Sequence, residues 1–82
     1  MPHQDHNHSR YQDTAKLHEK AALHHQNAAK SHLEAARMRE AGNHGAADNL
    51  ALTAHGHTLL ALRYSEEAIE NYANIQASVQ RP

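Results

Sequence analysis

From His18 to Met38 the chain repeats one seven-residue phrase three times: His-Glu-Lys-Ala-Ala-Leu-His, His-Gln-Asn-Ala-Ala-Lys-Ser and His-Leu-Glu-Ala-Ala-Arg-Met. With His18, His25 and His32 at position a, Tyr11 shares that position. Thr14, Ala21, Ala28 and Ala35 fall at d, and Ala15, Ala22, Ala29 and Ala36 at e. Positions three and four apart share a helix face, so a, d and e form one stripe, which is the predicted packing face. Leu17, Leu23, Leu33 and Met38 lie toward its flanks. A strict seven-residue repeat predicts a left-handed supercoil, and paired alanines allow close helix approach.

Ser9 followed by Gln12 has the form of a capping box, which predicts a first helix over about residues 10–41. Gly42-Asn43-His44-Gly45 interrupts the helical run and predicts a tight turn over 42–45. Helix formers resume through about residues 46–77. There Ala47, Leu50, Ala54, His57, Ala61, Tyr64, Ala68 and Ile75 recur at spacings of three, four or seven, and Leu60, Leu62, Ile69, Tyr72 and Val79 widen the face. The predicted fold class is all-α: a long antiparallel hairpin over 9–80. Residues 1–8, without helical period, are predicted to form a flexible histidine-rich arm.

A chain of 82 residues buries only about 60% of its unfolded surface even when compact. It has no Phe or Trp, and most of its apolar side chains on the repeat are alanine, which adds little burial energy per residue. Help from a partner is expected, and a homodimer closing into a four-helix bundle covers both stripes. Eight Lys and Arg against nine Asp and Glu give a net charge of -1, without the basic footprint of a nucleic-acid binder. No apolar run is long enough for a signal peptide or a membrane span, so the default expectation is a cytoplasmic protein with no membrane partner.

Ten histidines are the compositional outlier, and the absence of Cys excludes disulfides and thiolate metal sites. Imidazoles suit Cu(II), Ni(II) or Zn(II). His18, His25 and His32 stand about 10.5 Å apart along a helix, so no two of them reach one metal ion. A site must be assembled across helices. Folding at the turn brings His32 level with His55 and His57, while His25 and His18 depend on a second chain for further ligands. His57 is predicted to face inward, His55 to be peripheral, and His24 and His44 to be exposed. His3, His6 and His8 are weaker candidates on the arm, and Pro2 denies His3 the backbone amide that an amino-terminal copper clamp deprotonates.

Enzymatic sequence signals are missing. There is no His-Glu-x-x-His, no Glu-x-x-His pair of a di-iron bundle, no nucleophile elbow and no phosphate loop. Two readings follow. In the first, the chain is a non-enzymatic protein that binds or buffers a divalent transition metal. In the second, it is a structural or interaction module in which histidines form a pH-sensitive hydrogen-bonded interface.

The His-x-x-Ala-Ala heptads, the Ala41-Gly42-Asn43-His44 turn and Ala54-His55-Gly56-His57 resemble a group of small histidine- and alanine-rich bacterial helical-hairpin proteins of unassigned function. The resemblance spans Tyr11 to about Ala73. It implies an oligomerising hairpin, with metal handling as a further implication, and carries over no established activity.

Overall fold

The computed structural model describes residues 6–79, with side chains placed for residues 8–78. They form two helices, α1 over His6–Glu40 and α2 over His44–Val79, packed against each other as an antiparallel hairpin. α1 begins before the expected capping box, so Ser9 lies inside it. His6 and His8, expected on the arm, belong to its first turn. His3 lies outside the described residues.

The connection is shorter than expected because two residues serve both ends. Gly42 adopts φ +83, the left-handed conformation that a side chain disfavours. Its N–H donates to the Arg39 carbonyl at 3.1 Å, and the Asn43 N–H donates to the Met38 carbonyl at 2.8 Å, which closes α1 with a Schellman motif. Asn43 then starts α2: its Oδ1 accepts from the Ala46 N–H at 3.2 Å, as an N-cap residue does. His44 and Gly45, expected in the turn, are the first residues of α2.

Alanine forms nearly all of the buried core. Ala21 and Ala28 from α1 meet Ala47, Ala54, Ala61 and Ala68 from α2, and Ile75 is the single large side chain fully buried among the described residues. The stripe read in α2 is observed, with Leu50, His57 and Tyr64 half-buried beside the alanines. Leu60, Leu62, Ile69 and Tyr72 do not widen the seam and remain exposed.

In α1 the expected face is corrected on one side. The d positions do face α2, with Thr14 and Ala35 half-buried at either end of the alanine pair. The a and e positions do not: His18, His25, His32 and Ala15, Ala22, Ala29, Ala36 are all exposed. Leu17, His24, Ser31 and Met38 complete the seam instead. Each of these lies four residues before or three after a d alanine, so it fits the three-four spacing as well as a histidine at a. Burying Leu17 and Met38 removes more apolar surface than burying imidazoles, which stay hydrated on the other side.

Candidate functional site

Among the described residues, three polar latches cross the alanine seam. At the turn, Arg39 donates to His44 Nδ1 at 3.0 Å and pairs with Asp48 Oδ1 at 2.6 Å. Both side chains of the ion pair are about half exposed or more, so it adds little stability. At the open end, Thr14 Oγ1 donates to the Arg10 carbonyl at 2.9 Å and accepts from Asn71 Nδ2 at 2.7 Å. Asn71 also donates to that carbonyl at 3.1 Å.

The middle latch is the candidate site. His24 Nδ1 and His57 Nδ1 stand 2.9 Å apart and share one hydrogen bond across the seam. The ring centroids are 5.2 Å apart with planes 30° from parallel. On its other side His24 stacks on Tyr64 at 5.7 Å and 12°, and Lys20 Nζ lies 5.4 Å from the centre of the Tyr64 ring. Lys20 and His24 are four apart on α1, whereas His57 and Tyr64 are seven apart on α2, so the heptad geometry of both helices builds the row. Alanines on either side let the backbones approach closely enough for two imidazoles to bridge the gap.

An Nδ1 to Nδ1 bond has a definite proton requirement. One ring donates an N–H and the other must offer a lone pair, so at least one imidazole is neutral. Two imidazolium rings present two donors to each other and break the bond. The bonded pair therefore holds at most three ring protons, while the separated pair in acid holds four.

Of the histidines singled out as metal candidates, His57 alone takes part in this row. His18, His25, His32 and His55 are exposed, and among the described residues no hydrogen bond joins His32 to His55 or His57. Among the described residues no three His, Cys, Asp or Glu side chains converge as a metal-holding group. His24, expected to be exposed, is half-buried and central. Its signal was the heptad line Leu17, His24, Ser31, Met38, and Asn71 likewise continues the line His57, Tyr64 by seven residues.

No helix among the described residues is long and apolar enough to cross a membrane. The fold and the latches together define an antiparallel, alanine-seamed helical hairpin. No protein-family model matches this chain, and neither does any curated protein or solved structure.

Proposed function

We propose that this chain is a non-enzymatic structural or interaction module, an alanine-seamed hairpin clasped by a pH-sensitive imidazole pair and working with further copies of itself. The observation that carries the reading is the 2.9 Å contact between His24 Nδ1 and His57 Nδ1. Unfolding in acid takes up a proton that the bonded pair excludes. Stability linked to this pair is therefore present while at least one of the two rings is neutral and lost when acid protonates both.

The test is thermal melting from about pH 8 to about pH 5, across the imidazole range, for the parent and for His57→Gln. A parent melting temperature that falls with acid more steeply than that of the variant supports the clasp. Equal slopes, or a flat profile for the parent, overturn it.

A second reading keeps the divalent metal. Two facts favour it: three imidazoles on one line of α1 are open to ligand exchange, and the His24–His57 pair already brings two ring nitrogens together. Two nitrogens bound to a tetrahedral zinc at 2.0–2.1 Å stand about 3.3 Å apart, so a small widening suffices. Zn(II), Cu(II) or Ni(II) held there requires further ligands from water or another chain. Calorimetric titration of metal-free protein, with His25→Ala, His32→Ala and His57→Gln tested separately, decides it. Submicromolar binding lost in any variant supports a site, and equally weak binding by all forms removes it.

A further inference from the structure

The two broad sides of the hairpin differ in chemistry. At about 100° per residue, His18, His25 and His32, interleaved with Ala22 and Ala29, run roughly a quarter turn ahead of the seam line of α1. In α2, Leu52, Leu59, Leu62 and Ile69 run a similar rotation ahead of the seam line, and they are 49–71% exposed. Because the helices are antiparallel, the same sense of rotation brings both lines to one broad side. The opposite side carries Lys20, Tyr64 and Glu67.

We propose that the histidine and leucine side is covered by a second copy of this chain, with α1 of each copy lying on α2 of the other. This deepens the module reading above and rests on it. The hairpin extends 64 × 23 × 12 Å, so it is a single helix layer thick and leaves this side uncovered along its length. A side of that length and width exceeds the roughly 800 Å² per partner that a stable interface buries. The two lines are also complementary in bulk. Alanine with imidazole is thin and leucine with isoleucine is thick, so crossing them fills space evenly, whereas leucine against leucine and alanine against alanine would not.

Charge agrees with the crossing. A shallow groove lined by Leu62, Ser65, Glu66 and Ile69 lies on this side of α2. Asn71 on Thr14 and Asp48 on Arg39 fix the antiparallel register, which sets His18 close to the level of Glu66. In the crossed arrangement the imidazole of His18 therefore meets the groove and carboxylate of the second copy. His18, His25 and His32 then point into a closed four-helix bundle, and the repeat acquires two packing duties: the first alanine of each pair serves the hairpin, while the second alanine and the histidine serve the dimer.

Analytical ultracentrifugation at high micromolar concentration tests the proposal. The parent is expected to sediment as two chains, twice the 9.1 kDa of one chain. Leu59→Glu with Leu62→Glu shifts it to one chain, whereas Leu23→Glu, away from this side, leaves two. Diethyl pyrocarbonate modification of the unaltered parent supplies a readout independent of variant folding. His18, His25 and His32 are expected to react several-fold more slowly than the exposed His44 at the start of α2. A monomeric parent overturns both the surface and the self-association in the module reading. A dimer that survives the Leu59 and Leu62 changes, that is lost in Leu23→Glu, or in which His25 reacts as fast as His44, overturns the surface alone.

Discussion

The two alanines of each repeat stand side by side in the sequence and lead different lives. Ala21 and Ala28 are buried against α2, while their neighbours Ala22 and Ala29 face outward beside His18 and His25. The same division separates His24, bonded across the seam, from His25, which is exposed. One residue changes direction by about 100° on a helix, enough to move a side chain from one partner to another. A double-alanine heptad is thus two interleaved seven-residue lines, and only the facing helix decides which one closes the hairpin.

Larger side chains give the sharpest contrast between the lines. Ala28→Leu forces bulk into a seam without room for it and is expected to cost about 2–3 kcal/mol. Ala29→Leu, in dilute solution where copies do not meet, is expected to change stability by about 0.5 kcal/mol or less. Chemical denaturation of the two variants side by side measures this, and equal losses would erase the distinction between the lines.

The histidines give a smaller version of the same contrast. His24→Ala removes a half-buried hydrogen bond worth about 1 kcal/mol at neutral pH, while His25→Ala in dilute solution is expected to be near neutral. At the turn, Gly42→Ala places a side chain at φ +83 and is expected to cost about 1 kcal/mol, visible as a lower melting temperature. Gly56 differs: its φ is not positive, and an added Cβ meets nothing within 4 Å. Gly56→Ala should stabilise α2 by about 0.5–1 kcal/mol and raise the melting temperature.

Long helical runs with a single glycine-bounded break made the two-helix hairpin legible from composition and spacing alone. The central α2 line was equally legible, because Ala47, Ala54, Ala61, Ala68 and Ile75 offer one apolar line, but Leu60, Leu62, Ile69 and Tyr72, wrongly expected to widen it, remain exposed. In α1 a rival line existed. Histidine at a and leucine, histidine, serine or methionine three residues after each d position satisfy the same periodicity, so periodicity alone could not rank them. His18, His25 and His32 repeat perfectly, whereas His24 sits in a line of four different residue types, Leu17, His24, Ser31 and Met38. The helix ends shifted for a local reason: Asn43 both completes the stop of α1 and caps α2, so the turn needs fewer residues than its two glycines suggest.

His24, and not His25 or His32, is the imidazole that joins the two helices. Nitrogen-15 NMR of uniformly labelled protein at neutral pH measures this directly, through scalar coupling across an N–H···N hydrogen bond. Coupling is expected between the Nδ1 atoms of His24 and His57, with one ring carrying its proton on Nδ1, and is expected to be lost on acidification. A freely exchanging His24 ring, together with coupling from His25 or His32 to an α2 side chain of the same molecule, would contradict it.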